Sequence, residues 1–264
     1  MPDYSHYQRL SVTVTDGLAT IAFNRPDALN AIDMRMHEEL ATVFFDVGRD
    51  HNARVIMLTG IGDHFCAGGD LGWMKDAADG NAPIPDAMEA KRIIFSLLDL
   101  EKPIIAKVQG SCVGLGATLA LFCDTIFAAE DARIADPHVR VGIVAGDGGA
   151  VIWPQLIGYA RAKEYLMTGD PLSGAKAAAI GLINHAVPAS DLDDAADKFA
   201  QRLLTGPLKA IMYTKTAVNI GLKQLAHSIM DTSVAYEIQT FDTADHREAV
   251  DAFLNKRKPV FKGE

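Results

Sequence analysis

Residues 65–71 read Phe65-Cys66-Ala67-Gly68-Gly69-Asp70-Leu71, directly after the apolar run Val55-Ile56-Met57-Leu58-Thr59-Gly60. A second stretch of the same character, residues 108–119, reads Val108-Gln109-Gly110-Ser111-Cys112-Val113-Gly114-Leu115-Gly116-Ala117-Thr118-Leu119 and follows the strand-like residues 104–107. A small, glycine-rich turn at the end of a buried strand exposes backbone N–H groups, and such groups can hold an oxyanion. The two turns therefore predict an enzyme that stabilises negative charge on a carbonyl oxygen.

Composition argues against several classes of protein. The chain has 264 residues, of which 49% are hydrophobic, so it can bury a substantial core. Its formal net charge of −9 offers no broad basic face, which argues against nucleic acid as a main partner. Cys66, Cys112 and Cys123 show no C-x-x-C spacing and are expected to be buried thiols in a reducing cytoplasm. No secretory signal or membrane-spanning apolar run is evident, so we expect a cytoplasmic protein without a membrane partner.

Strand-like and helix-like segments alternate over the first 190 residues. Helices are expected to begin near Met34 and Asp86. The alternation predicts α/β layering with mostly parallel strands. The predicted strands are Ser11 to Val14, Leu18 to Phe23, Arg54 to Leu58, Ile104 to Val108, Thr125 to Ala128 and Leu182 to Val187.

The pattern becomes almost wholly helical after Pro188. Ser190 is a plausible N-cap, so we predict a core in residues 1–190 and a helical oligomerisation region in residues 191–264. The stretch 77–85, which contains two prolines and a glycine, is the best candidate for a mobile loop. Helical segments are predicted from Leu192, Pro207, Leu222 and His246.

Four motifs in one order extend over nearly the whole chain. They are Asn24 to Ala31, Phe65 to Leu71, Gly110 to Asp124 and Phe253 to Phe261. With these motifs the chain resembles the crotonase (enoyl-CoA hydratase/isomerase) superfamily. The resemblance implies a ββα-spiral core, a helical trimerisation region, and a homotrimer or dimer of trimers. It also implies a small-molecule acyl-CoA substrate, with CoA as part of that substrate, no other cofactor and no metal.

The resemblance also assigns the binding groups position by position. In the superfamily an acyl-CoA thioester carbonyl lies between two backbone N–H groups, and the matching residues are Ala67 and Leu115. Lys258, in a basic C-terminal run, is expected to neutralise CoA phosphates, although a solvated tail is the alternative. The expected substrate-binding residues are Ala28, Ala67, Gly68, Gly69, Asp70, Leu71, Trp73, Leu115, Thr118 and Lys258.

The chain departs from the superfamily at the groups that handle protons. Hydratases of this kind use two glutamates, and the matching positions are Thr118 and His138. His138 and Asp147 bracket a glycine-flanked turn and can share a proton or position water. This segment is similar to the 6-oxocamphor hydrolase branch of the superfamily, which cleaves a carbon–carbon bond, and Glu237 is a weaker match to a third acidic group there. Helix capping by Asp147 and a core role for His138 are the alternatives.

Three functions follow as hypotheses. The default is an enzyme that hydrates or isomerises an enoyl-CoA through an oxyanion-stabilised enolate, and the alternative is hydrolytic carbon–carbon cleavage of a β-diketone or β-keto thioester. A non-catalytic acyl-CoA-binding protein is the third. Convergence of His138 and Asp147 on the oxyanion turns would favour an enzyme.

A dinucleotide-binding site is only weakly indicated, because Gly114-x-Gly116 lacks the third glycine of that motif and has Leu119 in its place.

Overall fold

A six-stranded sheet, in the order β1-β2-β3-β4-β6-β9, runs through the computed structural model, which describes residues 2–264. Only β1 and β2 are antiparallel, and the other neighbours in this sheet pair in parallel. Asp16 and Gly17, both at positive φ, connect the antiparallel pair in a tight turn. The strands of this sheet are β1 Leu10–Thr15, β2 Leu18–Phe23, β3 Val55–Gly60, β4 Ile104–Val108, β6 Thr125–Ala129 and β9 His185–Val187.

A second sheet of three short strands, in the order β5-β7-β8, lies beyond the ends of β4 and β6 along the chain. Its strands are only two or three residues long, so they carry no alternating pattern and were absent from the sequence-based expectations. The strands are β5 Ser111–Val113, β7 Arg133–Ala135 and β8 Leu172–Ser173.

The described part of the chain contains nine α-helices. Four of these helices begin at a side chain that accepts a hydrogen bond from a backbone N–H of the first turn, which explains why they begin where they do. The capping residues are Asp33, Asp70, Asp86 and Thr243. The helices are α1 Met34–Arg49, α2 Leu71–Ala78, α3 Ala87–Asp99, α4 Leu115–Leu121, α5 Gly149–Thr168, α6 Gly174–Ala179, α7 Leu192–Leu204, α8 Leu208–Phe241 and α9 Ala244–Leu254.

The α/β class and the mostly parallel pairing are confirmed, and several boundaries are corrected. The last strand begins at His185 rather than Leu182, because Asn184 turns its side chain back to accept the N–H of Ile126 at 2.8 Å. Ser190 lies inside a short 3₁₀ turn, Ala189–Asp191, and is not the N-cap of α7. Leu222 starts no helix, since α8 is continuous through it. The irregular stretch is confirmed over residues 79–85, and its mobility stays a prediction.

Buried groups hold the layers together. Glu39 on α1 accepts the backbone N–H groups of Gln8, Arg9 and Leu10 at 2.8, 2.9 and 3.0 Å, which fixes the chain entering β1. The helix α7 packs on β3, β4 and β6, so the first helix of the predicted 191–264 region covers the main sheet. That domain division stays a prediction.

The three cysteines are buried thiols, as expected, and burial raises the pKa of Cys66 to about 12. Within residues 2–264, no helix combines the length and apolar character needed to cross a bilayer.

Candidate active site

The two glycine-rich turns lie side by side. Cys66 and Cys112 form a parallel bridge, in which the Cys66 N–H donates to the Ser111 carbonyl at 2.8 Å and the Val113 N–H donates to the Cys66 carbonyl at 2.9 Å. Gly68 has φ +88°, and a Cβ there would lie 3.1 Å from the Val113 carbonyl oxygen. A side chain at this position would therefore combine backbone strain with a tight contact, and glycine is required for the turns to meet.

The N–H group of Ala67 is already used by the fold. It donates to the carbonyl of Leu29 at 3.1 Å, next to the 3₁₀ turn Pro26–Ala28. The prediction that Ala67 supplies an oxyanion donor is therefore wrong. The left-handed Gly68 reverses the chain direction immediately after Ala67, so the next exposed donor comes two residues later.

Gly69 and Leu115 are the two residues whose N–H groups are available at this place. Within residues 2–264, neither N–H has a hydrogen-bond acceptor, and both residues line one pocket. Leu115 is the first residue of α4, where backbone N–H groups have no partner inside the helix. The pair Gly69 and Leu115 therefore forms the candidate oxyanion site, with Leu115 as predicted and Gly69 in place of Ala67.

His138 lies between two carboxylates. Its Nδ1 atom hydrogen-bonds the Asp136 carboxylate, and its Nε2 atom lies 3.3 Å from Oδ2 of Asp147. The imidazole is also next to the second turn, because Cε1 of His138 would lie 3.7 Å from a Cβ on Gly114. Thr118 Oγ1 donates to Oδ1 of Asp147 at 3.4 Å. His138 and Asp147 thus meet at the wall of the pocket that Gly69 and Leu115 line.

Burial and charge compete at this pair. Burial disfavours the imidazolium, but the carboxylates of Asp136 and Asp147 outweigh it and raise the pKa of His138 well above its usual range. For Asp147, burial acts to raise the pKa, but the charge of His138, with a smaller effect from His37, outweighs burial and lowers it. The favoured state is an imidazolium held between carboxylates.

Glu237 on α8 completes the acidic set. Its side chain covers the backbone of Gly146, where a Cβ would lie 2.8 Å from Oε2 of Glu237, and it lines the same pocket. Burial first, and then the charge of Asp147, raise the pKa of Glu237 well above its usual value. The site therefore pairs a carboxylate, Asp147, with a carboxyl group that favours the neutral form.

Asp147 is not the N-cap residue of the next helix. The N-cap of α5 is Gly148, at φ +120°, and the helix has no side-chain cap. Asp147 therefore does more than a capping residue would, because its carboxylate contacts His138 and Thr118, although the backbone N–H of Gly149, the first residue of α5, also helps to lower its pKa.

Sequence reasoning missed a second buried histidine at the pocket. His37 on α1 lines it, and its Nδ1 atom contacts the Glu89 carboxylate of α3. The two residues are 52 positions apart, and neither belongs to a motif, so no local pattern could have connected them.

The remaining predicted binding residues have varied surroundings. Asp70 caps α2 and pairs with Arg25 at 3.0 Å, so its carboxylate serves the fold. Trp73 lines the pocket, and its indole N–H donates to the Pro83 carbonyl at 3.1 Å. Leu71 packs in the small apolar cluster around Met74. Ala28 ends the 3₁₀ turn beside the first glycine-rich turn, and Lys258 is exposed in the C-terminal segment.

One cluster offers several metal-ligand atoms. Asp136, His138 and Asp147 have oxygen or nitrogen atoms within 4.8 Å of one another. However, Asp136 contacts the Nδ1 side of the imidazole and Asp147 the Nε2 side. A single ion on one side of the ring cannot use all three groups, so we interpret the cluster as a hydrogen-bonded relay.

Comparison with known proteins identifies the family of this chain. A family model described as "Enoyl-CoA hydratase/isomerase" matches residues 13–264. The chain belongs to the enoyl-CoA hydratase/isomerase family. This membership confirms the crotonase superfamily and the fold class expected from the motifs, and it places the chain in a family of enzymes.

Relatives within the enoyl-CoA hydratase/isomerase family match over nearly their full length. The chain is 35% identical to "1,2-epoxyphenylacetyl-CoA isomerase" of Escherichia coli over 256 residues, which cover 95% of this chain and 97% of the relative. It is 33% identical to "Crotonyl-CoA hydratase" of Syntrophomonas wolfei, with 97% and 98% covered.

A solved structure, the "enoyl-CoA hydratase/isomerase from Mycobacterium paratuberculosis", superposes with a TM-score of 0.87 at 34% identity. The superposition covers 94% of this chain and 99% of the chain of that structure. The resemblance of residues 136–149 to 6-oxocamphor hydrolase stays a prediction.

Proposed function

We propose that this member of the enoyl-CoA hydratase/isomerase family hydrates or isomerises an enoyl-CoA through a thioester enolate. The observation that carries the proposal is the convergence of two kinds of group on one pocket. Gly69 and Leu115 present backbone N–H groups there, and His138, Asp147 and Glu237 line the same walls. An acyl-CoA-binding protein without catalysis would not need three buried ionisable groups, which are costly to keep beside the donors.

In the proposed mechanism the thioester oxygen accepts hydrogen bonds from the N–H groups of Gly69 and Leu115. These donors stabilise the negative charge that develops on the oxygen when a proton leaves or water adds. Proton transfer falls to carboxyl groups whose pKa values are moved in opposite directions. Glu237, with its raised pKa, is the proton donor. Asp147, with its lowered pKa, holds His138 charged and is the carboxylate that accepts the proton released by the substrate or by water.

A second candidate reaction is hydrolytic carbon–carbon cleavage of a β-diketone or β-keto thioester. The specific observation in its favour is that Thr118 and His138 stand where the resemblance assigns glutamates, while His138 lies between carboxylates. Water would add to one carbonyl while the Asp147 carboxylate takes its proton, which passes back to Glu237 after turnover, and the bond to the central carbon would then break. Its electron pair would form an enolate held by Gly69 and Leu115, and Glu237 would return a proton.

We further propose that CoA enters only as part of the substrate, that no other cofactor or metal takes part, and that the protein acts in the cytoplasm. A homotrimer or a dimer of trimers fits the exposed apolar residues of α8, Tyr213, Val218 and Ile220. Light scattering on the purified protein tests the oligomeric state, and a monomeric mass would contradict the proposed trimer or dimer of trimers.

The deciding assay incubates the purified protein with short and medium enoyl-CoAs and, separately, with cyclic β-diketones and β-keto acyl-CoAs. Asp147→Ala is compared with the parent, and Asp79→Ala, at an exposed aspartate outside the pocket, is the matched control. We expect Asp147→Ala to lose activity and Asp79→Ala to keep it. Equal rates for Asp147→Ala and the parent would remove Asp147 from the mechanism, and binding without turnover of any substrate would favour the non-catalytic protein.

A further inference from the structure

His37 has one ring nitrogen committed to the fold and one facing the pocket. Its Nδ1 atom contacts the carboxylate of Glu89, and its side chain is only 5% exposed. Within residues 2–264, the Nε2 atom has no hydrogen-bond partner. It is also not fully enclosed by protein atoms. Since His37 lines the pocket, the Nε2 atom opens into it.

Glu89 sets the orientation of this imidazole. A carboxylate on Nδ1 keeps the proton there and holds the ring plane, as paired carboxylates do for functional histidines elsewhere. In the neutral form Nε2 then accepts a hydrogen bond, and in the charged form it donates one. In either state the pocket contains a polar atom at a fixed position that no protein group satisfies.

The pocket around this atom has a charged part, formed by His138, Asp147 and Glu237, none of which hydrogen-bonds Nε2, and an apolar part. Trp73, Met74, Ile143 and Phe241 line the same pocket, and none of them offers a hydrogen-bond partner to the imidazole. A hydrocarbon acyl chain in this space would leave Nε2 desolvated and unpaired, which is unfavourable. An oxygen atom on the acyl group would satisfy it.

We infer that His37 is a specificity-determining residue that binds an oxygen atom of the acyl group beyond the thioester, and that Glu89 is the residue that positions it. The favoured substrates therefore carry an oxo or hydroxyl group on the acyl chain. This inference rests on the proposed function, because the oxyanion pair of Gly69 and Leu115 is taken to hold the thioester carbonyl.

The test is a binding experiment with a matched pair of ligands. Acetoacetyl-CoA and butyryl-CoA have the same number of acyl carbons and differ by one oxo group. Their dissociation constants are measured by calorimetry for the parent, His37→Leu and His37→Gln, with His51→Leu, at an exposed histidine outside the pocket, as control. Leucine removes the polar atom, whereas glutamine keeps a hydrogen-bonding group with similar reach.

We expect the parent to bind acetoacetyl-CoA about tenfold or more tightly than butyryl-CoA, the range for a satisfied against an unsatisfied buried polar group. His37→Leu should lose that preference by weakening only the acetoacetyl-CoA complex, His37→Gln should keep part of it, and His51→Leu should keep all of it. Glu89→Leu should reduce the preference, and Glu89→Gln should restore part of it. If His37→Leu does not fold, the double variant with Glu89→Leu removes the unpaired carboxylate.

Absence of a preference in the parent, or equal weakening of both complexes by His37→Leu, would overturn the inference and leave the proposed function standing. If neither CoA ester binds any variant, the proposed function fails, and the inference fails with it.

Discussion

The role of the Leu115 N–H group can be tested by removing that one hydrogen atom. Leu115 is the first residue of α4, and the first helical position is the one where proline is best tolerated, because its N–H has no helical partner. The preceding residue, Gly114, has no Cβ to collide with a proline ring. Leu115→Pro should therefore delete the oxyanion donor while α4 remains formed.

The matched control is Leu115→Ala, which keeps the N–H. Leu115 is 7% exposed, so both variants lose packing, by about 2–5 kcal/mol at most for a buried leucine. Only the proline variant loses the hydrogen bond to the developing oxyanion. Removal of one such donor costs about 2.7–4 kcal/mol of transition-state stabilisation, which is about 100- to 1,000-fold in kcat. The donor on Gly69 remains in both variants, so activity should fall without disappearing.

The assay measures kcat and KM of both variants on the best substrate found for the parent. Circular dichroism and thermal unfolding show whether each variant is folded. We expect the kcat of Leu115→Pro to lie at least 100-fold below that of Leu115→Ala, with a much smaller difference in KM. Equal kcat values for two folded variants would refute the assignment of Leu115 as a donor.

Further predictions concern acid–base groups and a structural anchor. Because the pKa of Glu237 is raised, its contribution to stability is present below about pH 4.5 and is lost as the pH rises through the pKa of the folded protein. Glu237→Gln should therefore become more stable relative to the parent as the pH rises, as measured by urea unfolding. A difference in unfolding free energy that stays constant with pH would contradict this. Asp136→Asn should lower the pKa of His138 in an NMR titration, because burial then meets less opposing charge, and an unchanged pKa would show that Asp136 does not act on the ring. Glu39→Leu should lower the free energy of unfolding by about 3 kcal/mol, since one buried and two part-buried backbone N–H groups lose their acceptor, whereas the exposed Glu38→Leu should change it little.

The linear pattern of residues determined the outline of this fold. Residues 18–23 and 104–108 were predicted as strands with their observed bounds, because each is a short, mostly apolar run, a local signal that needs no distant information. The turns around Gly68 and Gly114 were recognisable for a related reason. Both have positive φ angles, and Gly68 also lies close to the Val113 carbonyl, so the residue type itself indicates the constraint.

The tertiary structure alone decided those groups of the site that no local pattern connects. Whether Ala67 or Gly69 offers its N–H depends on the carbonyl of Leu29, which reaches the turn from another part of the chain. The contact of His37 with Glu89 and the position of Glu237 over Gly146 likewise depend on how α1, α3 and α8 pack. Local sequence carries backbone preferences, whereas the meeting of side chains far apart in the chain follows from helix packing, which no short pattern encodes.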